Sequence, residues 1–421
     1  MQHLIFRRPA VTGTYPGNPI NCALAKAPYP KTPAIRLMKK ICLLFLLASL
    51  SSLSARAEQP TMTIYGTFDP QAPKGQAPIL EIKPTESSIS LYGTIDAGVR
   101  HVTNAASNGG SLLSMSSNGN YYNNRFGIKG TEDIGGGMNA HFHLEAGFNS
   151  GTGELDNTQN RLFNRISSVG IAGTFGSLDF GRQPSVACKV VHAYDPFSYR
   201  YVQLIPLAGA VAGHADPDNP FGKLGGTRFS NAAQYIGKFG NLSVLGEYVF
   251  GEVSGSSEAN SAKALGIVYR PGPYAFGIAY TRQQPNVANS GTPDYADQDQ
   301  LTFGAAYKSG AWRIAGGHIG ANSETTRPGT MRRARNNWFG GSYDITSAIG
   351  ITAALYKTSL GSASGATARR DLFILGATYA LSTRTNLYAD VDRAKTTGFA
   401  SATPGRPNHQ TGISLGINHM F

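Results

Sequence analysis

The chain has 421 residues with 37 Lys and Arg against 25 Asp and Glu, yet only 15% of it is charged, low for a soluble protein of this length. Gly 51 and Tyr 20 beside Trp 2 are unusual for a helical or α/β enzyme. A mean hydropathy of −0.20 argues against a helical membrane protein but leaves a barrel open, because half of each barrel strand faces water.

The one long apolar run is Ile41 to Leu50, preceded by Met38-Lys39-Lys40 and followed by Ala55-Arg56-Ala57. A basic start, an apolar core and a small-residue cleavage site predict a secretory signal peptide over 38–57. The run is too short for a membrane-spanning helix, which takes about 20 residues. Residues 1–37 are then an upstream extension before the better start at Met38. Eight of the 37 basic residues and none of the 25 acidic ones precede residue 58, leaving 29 against 25, net +4 instead of +12. The pI of 9.5 is therefore partly a property of the leader and gives little support for a nucleic-acid partner. Cys22 and Cys42 also precede the site; Cys188 alone cannot form an intrachain disulfide. Cys42 opens the apolar core instead of following it, which speaks against a lipoprotein anchor.

Residues 58–88 form a polar, Pro-containing lead-in. Within it, Ile64-Tyr65-Gly66-Thr67-Phe68-Asp69 nearly repeats Leu91-Tyr92-Gly93-Thr94-Ile95-Asp96; the second, better alternating copy is the predicted first strand. The first copy is either an unused duplicate or a partner at the barrel's seam.

From residue 89 the chain is all-β in pattern, with strands at 89–100, 123–131, 138–149, 164–173, 176–183, 228–237, 241–251, 262–271, 273–283, 299–309, 311–320, 335–345, 348–358, 370–380, 384–394 and 410–421. Successive side chains of a strand point to opposite faces. In 301–308, Leu301, Phe303, Ala305 and Tyr307 alternate with Thr302, Gly304, Ala306 and Lys308. The last strand closes on Phe421, with Ile413, Leu415 and Ile417 on the same face. Tyr235, Tyr269, Tyr280, Tyr307 and Tyr379 fall near strand ends, where an interfacial girdle would sit. Short links alternate with long ones. Sixteen strands, an even number, predict an antiparallel transmembrane β-barrel over 89–421. A soluble sandwich or propeller also alternates, but neither explains the leader and the terminal aromatic strand together.

The run NNRFGIKGTEDIGGGMNAHFHLEAGFN at 123–149 resembles the second and third strands of Gram-negative general porins, especially the trimeric porins of β-proteobacteria. ISLYGTIDAG, RLFNRISSVGIAGTFGSLDFGRQ, RFSNAAQYIG and the terminal GINHMF carry the same resemblance, which covers about 87–421. It implies a sixteen-stranded barrel, a homotrimer and a passive pore narrowed by an inward-folded third external loop, here 184–227. It also implies an outer-membrane location, with lipid bilayer and lipopolysaccharide around the barrel. The barrel assembly machinery would read the C-terminal Phe421, and small ions and hydrophilic solutes would pass.

By the family's arginine ladder, the wall candidates are Arg125, Arg165 and Arg228, with Lys129 and Arg182 second. Alternation turns Arg125, Lys129 and Arg228 inward, whereas Arg165 and Arg182 conflict in phase with Val169, Ile171 and Phe180, so a bulge or subunit contact must be allowed. Asp195, Asp216 and Asp218 are the loop carboxylates that could face them. Basic groups opposite carboxylates across a narrow aqueous gap set up a transverse field that biases permeation by charge. The net +4 and the arginines predict mild anion preference.

Three other patterns bear on function. His141-x-His143-x-Glu145 places possible ligands on one face, but i and i+2 are about 6.6 Å apart, wide for one ion, so no metal and no cofactor is expected. His192, Asp195 and Ser198 are the residue types of a rim-active barrel enzyme, yet they fall inside the loop; the chain is read as non-enzymatic. A channel dedicated to a sugar or carboxylate is the alternative to general diffusion.

Overall fold

The computed structural model describes residues 87–106, 108–116, 120–157, 160–201, 227–284, 297–323, 331–362, 364–398 and 407–421. The expected signal peptide, almost all of the lead-in and both Asp216 and Asp218 lie outside the described residues.

The elements are β1 (Ser88–Val102), β2 (Leu112–Ser116), β3 (Arg125–Gly135), β4 (Met138–Gly147), β5 (Ile166–Gly173), β6 (Gly176–Pro184), a short helix α1 (Val186–Val191), β7 (Arg228–Phe239), β8 (Leu242–Val249), β9 (Ala262–Tyr269), β10 (Tyr274–Gln283), β11 (Gln298–Ser309), β12 (Trp312–Ser323), β13 (Met331–Asp344), β14 (Ile349–Ser362), β15 (Thr367–Ala380), β16 (Thr385–Gly398) and β17 (His409–Met420). From β3 to β17 every strand pairs antiparallel with the next, and β17 returns to β1, from Thr94↔Met420 to Val102↔Gly412. Pairing of the last strand with the first closes the sheet on itself, as a lipid environment requires of strands.

Seventeen strand segments fill sixteen barrel positions. On the flank of β1 away from β17, β3 pairs with Ser88–Thr94 and β2 with Gly98–Val102, so the two share one position. Residues 120–124 between them form no strand and fasten to Asp96: Tyr121 and Tyr122 donate their amides to its carboxylate at 3.4 and 3.3 Å. The sequence reading begins its second strand at 123 and contains no β2. Adjacent Leu112 and Leu113 break the alternation that would reveal it.

One rim carries the short links, such as Gly136-Gly137 and Gly310-Ala311; Gly136, Gly137 and Gly310 have φ of 65°, 73° and 54°, the left-handed region that glycine adopts freely. The other rim carries the long connections, including 148–165, 185–227 and 284–297. Short periplasmic turns and long external loops are the usual asymmetry of an outer-membrane barrel. Alternation sorts the faces as expected: Leu301, Phe303, Phe339, Leu415 and Val169 are exposed on the outer face, while Thr302, Gln234, Asn336 and Asn418 are buried on the inner one. Paired aromatics mark the short-turn rim, Tyr274 with Tyr307 at 5.0 Å and Trp312 with Tyr343 at 4.2 Å. Phe421 locks the seam through two backbone bonds to Gly93 of 2.9 and 3.1 Å. A Cβ on Gly93 would lie 2.3 Å from its ring and 2.9 Å from the Arg125 carbonyl oxygen, so a larger residue there would displace the ring.

Candidate functional site

The first part of the third long connection, residues 185–201, lines one half of the inner wall. Ser185 starts α1 by accepting the Cys188 amide at 3.2 Å. Val186 and Val190 then rest over Gly266 of β9 and Gly277 of β10. Tyr194 enters a notch between Gly304 and Gly317, stacks on Trp338 at 5.7 Å and hydrogen-bonds Thr302 at 2.7 Å. Trp338 Nε1 donates to the Tyr194 carbonyl at 3.1 Å, and Arg313 donates to the Asp195 carbonyl at 2.9 Å. Tyr201 ends over Gly376 of β15, and its amide donates to the Tyr121 carbonyl at 2.7 Å. A Cβ at Gly266, Gly277, Gly304, Gly317 or Gly376 would come within 2.2–2.7 Å of these side chains or of Trp338. The inward glycines are thus the bed on which the segment lies. Each fully buried Val or aromatic here is worth roughly 1.5–3 kcal/mol.

Asp195 accepts Tyr356 Oη at 3.0 Å and the Tyr199 amide at 2.7 Å. Burial pushes its carboxyl above the ordinary range, against the pull of these donors. Its charge is therefore tied to β14 and is not presented to the basic wall. His192 stacks on Tyr199 at 5.0 Å, and burial, aided by Arg200 and Arg313, holds its imidazole at about 4, neutral near pH 7. Among the described residues no hydrogen bond joins the side chains of His192, Asp195 and Ser198.

The opposite wall is basic and centres on Glu145. Arg165 Nε donates to Glu145 Oε1 at 2.6 Å, Arg125 Nε lies 4.0 Å from Oε2, and Tyr92 Oη donates to Oε2 at 2.7 Å. The Arg125 guanidinium also sits 4.1 Å over the Tyr122 ring, and Lys129 Nζ lies 5.7 Å from the Tyr92 ring centre. Arg165 precedes β5 and so escapes its alternation; it reaches Glu145 from the strand's start. Arg182 shares its register position with Ser167, out of phase with the inward pair Gly170↔Asp179, and donates to the Asn164 carbonyl at 2.5 Å and Ser230 Oγ at 2.9 Å. At Arg228 a register shift between Gly181 and Gln183, opposite Asn231 with φ of 54°, breaks the phase. Arg228 donates to Thr227 Oγ1 at 3.2 Å, keeps a buried Nε without a partner among the described residues, and feels Arg165, Arg182 and Glu145 electrostatically.

His141, His143 and Glu145 share the inner face of β4 but diverge to separate partners: His141 to Asp179 at 2.7 Å, His143 to Tyr92, Glu145 to Arg165. The sequence reading misses the anchoring tyrosines 121, 122, 194 and 201, because loop aromatics have no period. It also misses Arg100, which bonds Asp392 at 2.7 Å and Ser414 at 2.8 Å across β1, β16 and β17. Inward phase at Arg100, Asp390 and Asp392 was the available signal.

A closed sixteen-position barrel with an outer apolar face and a charged inner wall defines an outer-membrane channel. The model of the Gram-negative porin family matches residues 44–398, and the chain belongs to that family. An outer membrane porin protein of Bordetella pertussis is 28% identical over 387 residues, covering 80% of this chain and 95% of that protein. Outer membrane porin protein 32 of Delftia acidovorans is 26% identical over 351 residues with the same coverage. Among solved structures, the anion-selective porin from Comamonas acidovorans aligns with a TM-score of 0.62 at 25% identity, over 80% of this chain and 100% of that one.

Proposed function

We propose that the chain is a general diffusion porin with mild anion preference, performing no chemical step and working as a homotrimer delivered by the barrel assembly machinery. The observation that carries this reading is the asymmetry of the inner wall. Arg125, Arg165, Arg228 and Lys129 share one side with a single close carboxylate, Glu145, while Asp195 is bonded away on the other. A net positive wall in a low-dielectric frame raises the local anion concentration and slows cations. Arginine stays charged at any physiological pH, so the preference should change little with pH. Arg182 contributes at the rim, and the loop segment 185–201 narrows the passage by its bulk. The anion selectivity of the similar Comamonas acidovorans porin supports the sign.

Proteoliposome swelling separates this from a dedicated channel. Small neutral sugars should enter at rates falling smoothly with size and without saturation, and anionic solutes should enter faster than cations of equal size. Saturable uptake of one sugar or carboxylate, with others excluded, would contradict general diffusion.

A further inference from the structure

The flank of β1 that faces β2 and β3 has a gap in its ladder. β3 pairs with it as far as Thr94 and β2 only from Gly98, so Ile95, Asp96 and Ala97 pair with no strand on that flank among the described residues. Side chains replace the missing strand at Asp96, which is fully buried. Its amide donates to Asn124 Oδ1 at 2.5 Å, and its carbonyl accepts Ser150 Oγ at 2.8 Å. Its carboxylate accepts the amides of Tyr121 and Tyr122 at 3.4 and 3.3 Å and the Tyr388 hydroxyl at 3.0 Å. Bonds to a charged acceptor are stronger than neutral ones. Here they fix two successive residues of a stretch that has no ladder of its own.

Each of those tyrosines carries a guanidinium. Arg125 lies 4.1 Å over the Tyr122 ring centre, and Arg200 lies 5.4 Å from the Tyr121 ring centre. The Tyr121 ring is itself fixed between Tyr201 at 5.2 Å and Tyr388 at 5.1 Å. A ring face holds a cation without cancelling its charge, whereas a carboxylate that closes on a guanidinium neutralises it. Arg125 has both neighbours: the Tyr122 face, and Glu145, which stands 4.0 Å from its Nε and is already bonded by Arg165 at 2.6 Å. Without the ring, the Arg125 head is free to turn onto Glu145, and the wall loses an open positive charge.

We infer that Asp96 is a positioning residue for ion selectivity: by anchoring Tyr121 and Tyr122 it seats Arg125 on a ring face and keeps that charge open to passing anions. This role builds on the basic-wall reading of the pore. Asp96 is itself negative, so charge count and positioning give opposite signs. Loss of its charge alone would raise chloride preference; loss of the seat lowers it. The test is the chloride-to-potassium permeability ratio of the assembled channel in a planar bilayer. Asp96→Ala should lower the ratio about twofold or more, the scale of one lost ring–cation contact. In an Arg125→Gln background the same substitution should lower it no further, since the seated charge is gone. Tyr122→Leu, which changes no charge, should act like Asp96→Ala, while Tyr122→Phe keeps the ring face and should stay near wild type. An unchanged or raised ratio in Asp96→Ala, an equal drop in the Arg125→Gln background, or equal ratios for Tyr122→Leu and Tyr122→Phe would overturn the role. The tyrosine pair decides alone if Asp96→Ala does not assemble. The wild-type ratio tests the basic-wall reading separately, because the shifts run towards potassium whichever ion the wild type prefers.

Discussion

Replacing Glu145 by alanine is expected to lower the barrel's unfolding free energy by about 3–5 kcal/mol, the usual cost of stripping one partner from a buried ion pair. Glu145 is buried between two guanidinium groups, with Arg165 at 2.6 Å and Arg125 at 4.0 Å, and it also takes the Tyr92 hydroxyl at 2.7 Å. Its removal leaves two cations facing each other in a site that excludes most water. Like charges in that setting repel strongly, and the orphaned hydroxyl adds a smaller loss. Glu145→Gln keeps the volume and an acceptor for Tyr92, so it isolates the charge and should cost most of the same amount. Urea titration of the protein in detergent micelles, followed by far-ultraviolet circular dichroism, reads the change. A loss below about 1 kcal/mol would mean that water screens the arginines and that the wall is open at that point. The surviving variant should be more anion-preferring than wild type, because one negative charge has left the pore.

Tyr194→Ala is expected to act on the loop and not on the barrel. The ring fills the notch over Gly304 and Gly317, stacks on Trp338 and bonds Thr302. Truncating a buried aromatic typically costs about 3–5 kcal/mol, cavity included. Here the cost falls on the docking of residues 185–201, since the strand ladder does not pass through Tyr194. The expected result is a larger single-channel conductance with more open-channel noise, while the barrel's urea midpoint moves much less than in the Glu145 variants. Unchanged conductance would mean that Val186, Val190 and Asp195 hold the segment without it. Tyr194→Phe removes only the bond to Thr302 and should leave conductance near wild type.

The barrel was legible because its physics is periodic. Strands such as 301–308 and 138–148 announce two faces by alternation, and closure follows once each strand pairs with the next. What alternation cannot encode stays hidden: β2, whose Leu112 and Leu113 occupy both faces, and the phase break where Asn231 bulges beside Arg228. The candidate site divides the same way. Arg125 and Lys129 alternate with Phe126 and Ile128 along β3, whereas Arg165 and Arg182 fall where the strand pattern is interrupted. Arg165 reaches Glu145 from outside β5, and Arg182 stays at the Ser167 register. The path of 185–201 was not readable from the loop itself. It was written on the wall, in the inward glycines of β9, β10, β11, β12 and β15, whose meaning emerges only when the segment is seen lying on them.

The most direct measurement is the zero-current potential of a wild-type channel in a planar bilayer separating concentrated from dilute potassium chloride. The two ions have nearly equal mobility in water, so the sign of the potential reports the wall. A potential of the sign set by chloride crossing faster is predicted, and it should shrink in high salt as the arginines are screened. A potential set by potassium would contradict the account, since no basic wall arranged around one glutamate could then govern the pore.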